Sequence, residues 1–262
     1  MYNNTMGIRR PLSWMLKLLS RWAIQKHGLR FIVVAGPHGT KLTGELISEL
    51  LSPDVVLRKQ LEKPFWDYSI PLAILGYEDR RYGLGEWIVL ILRILYQLSI
   101  GRRNFSWIIL QMSTHLPEIA SYWLDIVTPE YVVLVNRDEE GSVLEEILIK
   151  KVKKNVIYYA TDNDEMLDRS SAAVRVGSDS SSDLCITKIR EDEHGTQVKG
   201  YWKNKDDQFH GQTVLQGEFV RQPLMLSLAV ALLFQVAPKD LPERMLHMQI
   251  QVDRFLFTAS HR

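Results

Sequence analysis

Residues 31–47, FIVVAGPHGTKLTGELI, decide how the rest of the chain is read. Phe31 to Ala35 is a short apolar run suited to a strand buried on both faces. Gly36 and Gly39 mark a tight turn, and beyond Leu42 the residues Leu46, Ile47, Leu50 and Leu51 fall on one face of a helix. Strand, glycine turn and helix is the layout of a phosphate-binding loop, where backbone N–H groups at a helix N-terminus face the anion. Such a loop places a lysine directly after its second glycine. Here Thr40 holds that place, Lys41 comes one residue late, and Leu42 stands where a magnesium-binding hydroxyl is expected. The scaffold is legible, whereas its side chains depart from the pattern.

The same alternation continues outward. Strand signals at 107–112 (WIILQM), 131–135 (YVVLV) and 155–160 (NVIYYA) are separated by helical stretches at 86–99, up to about Ile126, and 143–151. Alternating strands and helices predict right-handed crossovers and a mostly parallel sheet flanked by helices. Near Ser178 the pattern changes. Three strand candidates, 184–190, 196–203 and 212–219, are separated by the turn formers EDEHG and NKDDQFHG, which predicts a small antiparallel β-meander. An apolar helix over 224–234 follows. The expected organisation is a basic amphipathic N-terminal helix in residues 1–30, one α/β domain over 31–257 with the meander at about 184–219, and a tail at 258–262.

Composition narrows the function classes. The 262 residues carry 32 basic and 31 acidic side chains, a net charge of +1, which gives no argument for nucleic acid as a partner. The single Cys185 excludes an internal disulfide framework and fits a reducing cytoplasm. Residues 8–30 place Leu12, Met15, Leu16, Leu19, Trp22 and Ala23 at helical spacing among Arg9, Arg10, Lys17, Arg21 and Lys26. Docking of this helix on its own domain is one reading; peripheral contact with an anionic membrane is the other. The stretch Trp87–Ile100, interrupted by Arg93 and Gln97, is too short for a bilayer crossing and reads as a buried or half-buried helix.

Four segments occur in a telling order: the glycine turn followed by Glu45-Leu46-Ile47; SIPLAILG at 69–76; WIILQMS at 107–113, with Pro117-Glu118-Ile119 and then IVTPEYVVLVN at 126–136; and Gly217 with the helix 224–234 and Asp253-Arg254. Together they resemble the central ATP-binding domain of the Mur ligases, particularly the type that adds D-alanyl-D-alanine to the peptidoglycan precursor. The resemblance implies a cofactor site for ATP and magnesium at Gly36, Pro37, His38, Gly39, Thr40 and Lys41. It puts Gln111 where the family has a magnesium-binding glutamate, and Tyr159 where an asparagine packs near adenine. Gly217-Glu218-Phe219-Val220 stands for a glycine–histidine–asparagine motif, and the segment after Asn136 is about half the family's length. The family's flanking domains have no counterpart in the sequence.

Phosphoryl transfer depends on positioned positive charge, so these departures imply at most weak ATP and magnesium binding, with no catalytic residue. The expectation is a non-catalytic binding or assembly partner, beside a cell-wall ligase or another protein in the cytoplasm. Two alternatives stand beside it: a ligase subunit completed in trans, and a peripheral membrane adaptor using residues 8–30. His115 with Glu118, and Asp162 with Asp164, are secondary candidates whose ordinary reading is capping and turn formation.

Overall fold

A computed structural model of the chain describes residues 6–60, 67–80, 82–101, 105–112, 117–136, 143–160, 173–203, 207–246 and 248. The strands are β1 (Arg30–Ala35), β2 (Leu57–Lys59), β3 (Trp107–Met112), β4 (Tyr131–Leu134), β5 (Asn155–Tyr159), β6 (Ala173–Gly177), β7 (Leu184–Asp192), β8 (Gly195–Trp202) and β9 (Asp207–Thr213). The helices are α1 (Met6–His27), α2 (Thr40–Leu51), α3 (Ser69–Leu75), α4 (Leu84–Ile100), α5 (Pro117–Leu124), α6 (Val143–Lys151) and α7 (Glu218–Leu233), and a short helical stretch follows at 241–246. One sheet joins all these strands in the order β2-β3-β1-β4-β5-β6-β7-β8-β9. Pairing is parallel from β2 through β7, and antiparallel for β7–β8 and β8–β9.

Strand residues alternate between two apolar layers, as a period of two requires. Ile32, Val34, Ile109, Val133 and Ile157 pack with Leu46, Leu50 and the α7 residues Leu224 and Leu228. Phe31, Val33, Ile108, Leu110, Val132 and Val156 pack with Leu16, Leu19, Ala23, Ile70, Ile94 and Leu148 from the helices on the other side. The central strands are therefore buried on both faces, which is why they read as unbroken apolar runs. α1 docks on its own domain through Leu16, Leu19 and Ala23, with the Ser20 hydroxyl donating to the Pro71 carbonyl at 3.4 Å. Trp22, read above as part of the docking face, instead points outward.

The meander departs from expectation at its third strand. β9 runs over Asp207–Thr213, earlier than the 212–219 read from sequence. Phe209 is the one large apolar residue in that strand, so no alternating pattern announces it; pairing with β8 sets it, placing Phe209 opposite Gly200. A Cβ on Gly200 would meet the Phe209 ring at 2.8 Å. α7 also begins earlier than 224, with Pro223 inside the helix. Two parallel strands, β2 and β6, and the short helix α3 were not separately predicted. His115, Asp162, Asp164 and Asp253-Arg254, the end of the expected domain and the tail at 258–262 lie outside the described residues.

The fully buried Leu16 and the exposed Trp14 lie on one helix, so they test whether α1 is part of the core. Leu16→Ala is expected to cost about 2–5 kcal/mol in urea unfolding. Trp14→Ala should stay within about 0.5 kcal/mol of the parent. Equal, small effects would show that α1 is not integrated.

Candidate functional site

Chain order places the site. From β1 the chain moves outward to β2, returns to β3 beside β1, and then crosses to β4 on the other side of β1. β1 is thus a topological switch point, and open α/β sheets hold ligands outside the carboxyl ends of strands at such a point. The turn 36–39 lies there, between β1 and the N-terminus of α2.

Two close approaches shape this turn. The Gly36 N–H donates to the Met112 carbonyl at 3.4 Å, tying the turn to the end of β3. On its other side a Cβ would lie 2.0 Å from the Val135 carbonyl oxygen, so the turn can pass β4 only as glycine. Gly39, at φ 77°, is the N-cap of α2 in the left-handed region, and a Cβ there would meet Asn136 Nδ2 at 3.0 Å. Asn136 follows β4 at φ 47°, a conformation that asparagine tolerates. Its side-chain amide donates to the His38 carbonyl at 3.3 Å, and its backbone N–H donates to Gln222 Oε1 on α7 at 3.2 Å. The turn is therefore clamped between two strands and a helix.

No side chain caps the start of α2. First-turn N–H groups and the helix dipole there favour an anion whatever the side chains. Thr40 is buried, while Lys41 and His38 are exposed. Thr43, fully buried, donates from its hydroxyl back to the Gly39 carbonyl at 2.9 Å. Pro37 is buried beneath the turn.

Gln111 is 3 % exposed at the end of β3, under the first turns of α2, with Nε2 at 3.8 Å from where a Cβ on Gly44 would be. It is engaged with Gln60 at the end of β2. The Gln111 backbone N–H donates to Gln60 Oε1 at 3.1 Å, and Gln111 Nε2 donates to the Gln60 carbonyl at 3.3 Å. Gln60 in turn donates its backbone N–H to the Ile109 carbonyl at 3.0 Å. An ionised carboxylate could not make the Nε2 contact, because the clasp requires a donor at this position. Gln111 Oε1 is buried and has no hydrogen-bond partner.

Lys59 pairs with Glu45 and lies 3.9 Å from Glu49 on α2. Burial raises the Glu49 carboxyl from its usual value; Lys59 opposes this and Glu45 reinforces it. Beside this group, a cavity of about 90 Å³ between β2 and α3 is lined by Arg58, Gln60, Ser69, Tyr77 and Asp79. Burial lowers the Arg58 guanidinium. Among the described residues, no group of three or more His, Cys, Asp or Glu side chains is arranged to hold a metal.

Tyr159 ends β5 at the same edge of the sheet, two strands from β1, half-buried against the core on the α7 side. At the start of α7, Phe219 is exposed and Val220 is buried, with the Val220 N–H donating to the Gly217 carbonyl at 3.0 Å. Sequence reasoning found the turn and Gln111. It did not find Gln60 or Gln222 as their partners, because both contacts span long sequence distances. Asn136 was visible as a polar residue directly after an apolar strand, although its clamping contacts were not.

No protein-family model matches the chain, and no curated protein matches it in sequence. Solved structures do match. MurF from Acinetobacter baumannii aligns with TM-score 0.65 at 14% identity, over 89% of this chain and 49% of that one. MurF ligase from Thermotoga maritima in complex with ADP gives 0.63 at 18%, over 88% and 52%. A mutant of L. casei folylpolyglutamate synthase gives 0.54 at 13%, over 87% and 66%. The chain thus spans about half the length of the MurF chains it matches. At such identities the likeness concerns architecture: the chain has a Mur-ligase-like fold, a mostly parallel sheet flanked by helices with an antiparallel extension.

Proposed function

We propose that the chain is a non-catalytic member of this structural class, a binding or assembly partner beside a cell-wall ligase. Its β1–α2 turn is an anion cradle that has lost the groups needed for phosphoryl transfer. The observation that carries this reading is the Gln111–Gln60 clasp. Where the resemblance calls for a carboxylate on magnesium, a buried amide donates to a backbone carbonyl. An amide is a poor substitute for a carboxylate on magnesium. Thr40 in the lysine position and the outward Lys41 remove a second source of positive charge.

Backbone N–H groups remain, so a phosphate group can still be held. Charge-assisted contacts are worth about 1.5–3 kcal/mol each, and losing two sets of them leaves weak affinity. Calorimetric titration of the chain with ATP is expected to give a Kd on the order of 0.1–1 mM, about 4–5.5 kcal/mol, with no dependence on magnesium. Submicromolar, magnesium-dependent binding would overturn the reading and favour the alternative, a ligase subunit whose remaining domains come from another polypeptide.

Gln111→Glu separates a structural amide from a vestigial metal ligand. The variant loses the donor to the Gln60 carbonyl and sets a carboxylate against it, which is expected to cost about 1–3 kcal/mol at neutral pH. Burial favours the neutral acid, so the folded-state pKa of Glu at 111 rises above its unfolded value. The protonated acid can donate to the carbonyl, so stability is retained at low pH and lost as pH rises through the folded-state pKa. Urea denaturation of parent and variant at acid and neutral pH checks this. A variant stabilised at neutral pH by magnesium would mean that the site still accepts the metal.

A further inference from the structure

Among the described residues, the apolar surface left exposed is concentrated on two helices, α1 and α4. On α1, Trp14, Leu18 and Trp22 are exposed at successive i, i+4 positions, with Trp14 at 64 %. On α4, Ile88, Val89, Leu92, Tyr96 and Ile100 are each at least half exposed, while Leu90, Ile94 and Leu98 face the core. The α4 core face is narrow, and its outer side is largely apolar, broken by Arg93 and Gln97.

The two surfaces adjoin. Lys26 of α1 donates to the carbonyls of Leu98 and Ser99 at the end of α4, the latter at 3.0 Å. Trp22 lies one turn before Lys26 on the same side of α1. A shallow hollow along α4, lined by Val89, Leu92, Arg93, Tyr96 and Gln97, forms part of this surface. Exposed contiguous apolar area of this kind marks an interaction site.

Charge identifies the partner. The chain as a whole is nearly neutral, yet α1 contains Arg9, Arg10, Lys17, Arg21 and Lys26 and no acidic residue. The remaining residues are therefore net negative. α4 adds Arg93, and its single acid, Glu86, is matched by Arg80 at 3.1 Å and by the Gly83 N–H at 2.7 Å. At the other flank of α1, Asp125 is matched by Lys17 at 3.2 Å and Lys151 at 3.7 Å. Tryptophan and tyrosine among aliphatic residues, with several basic groups and a single, matched acid on these two helices, suit the headgroup region of an anionic bilayer. A second copy of this face would bring like charges together, which disfavours self-pairing. Among the described residues no helix is long and apolar enough to cross a membrane, so the contact is peripheral.

We propose that α1 and the outer face of α4 together form a docking surface for an anionic membrane, independent of the β1–α2 turn. The test is flotation of the full chain with vesicles of phosphatidylglycerol and phosphatidylcholine, against phosphatidylcholine alone. The expected result is flotation with the anionic vesicles only, weakened by high salt, which screens exposed charges. Leu92→Gln with Tyr96→Gln, and separately Trp14→Gln with Leu18→Gln, should each reduce the bound fraction at least about tenfold with unchanged urea midpoints, as expected for surface positions. A blue shift in tryptophan fluorescence of the parent protein on adding anionic vesicles gives a readout that needs no variant. Absence of flotation and of the shift overturns the proposal. So does an α4 variant that floats like the parent, or a lipid-free dimer that the same substitutions dissociate.

Discussion

The passage of Gly36 past the Val135 carbonyl sets the geometry on which the rest of this end of the molecule depends. With its N–H bonded to Met112 and its Cα against β4, the turn is held where β1, β3 and β4 end together. That placement aims α2 back across the sheet, where it packs along α7. Asn136 then locks the arrangement through the His38 carbonyl and Gln222, so strand, turn and both helices share one junction.

This junction explains why the turn keeps its glycines while Thr40, Lys41 and Gln111 vary from the phosphate-loop pattern. The glycines answer to packing: a methyl group at 36 collides with backbone, and one at 39 demands a left-handed residue with a Cβ. Thr40, Lys41 and Gln111 are under no such demand from the turn itself. Thr40 is small enough to be buried, Lys41 faces outward, and Gln111 works as a clasp to the edge strand β2. Packing thus accounts for the backbone geometry of the turn, whereas its side-chain chemistry does not follow from it.

Sequence showed the elements whose signal is local. Phe31–Ala35, Trp107–Met112 and Tyr131–Leu134 are buried on both faces and were legible as apolar runs; α2 and α6 were legible by periodicity. β9 was misplaced because its register comes from β8 and from Gly200 making room for Phe209, neither of which is written in its own residues. β2, with only Leu57 apolar, gains its strand geometry from pairing with β3. The departures of Thr40 and Gln111 were visible in sequence. The partners of Gln111 and Asn136 were not, because Gln60 and Gln222 reach them through the fold. The stretch Trp87–Ile100 was read as buried or half-buried, whereas only Leu90, Ile94 and Leu98 are buried; its outer apolar face appears only once its neighbours are known.

The account turns on whether the space beside Gln111 accepts a divalent ion with a nucleotide. Amide NMR spectra of the chain titrated with ATP, with Mn²⁺ replacing Mg²⁺ as a paramagnetic probe, measure this at individual residues. The account predicts small shifts at Gly36, Gly39 and Thr40 from the phosphates, with no selective Mn²⁺ broadening at Gln111 or Gln60. Broadening centred on Gln111 and falling off with distance into α2 and β3 would contradict it, because it would mean that a metal–nucleotide complex occupies the position assigned here to the glutamine clasp.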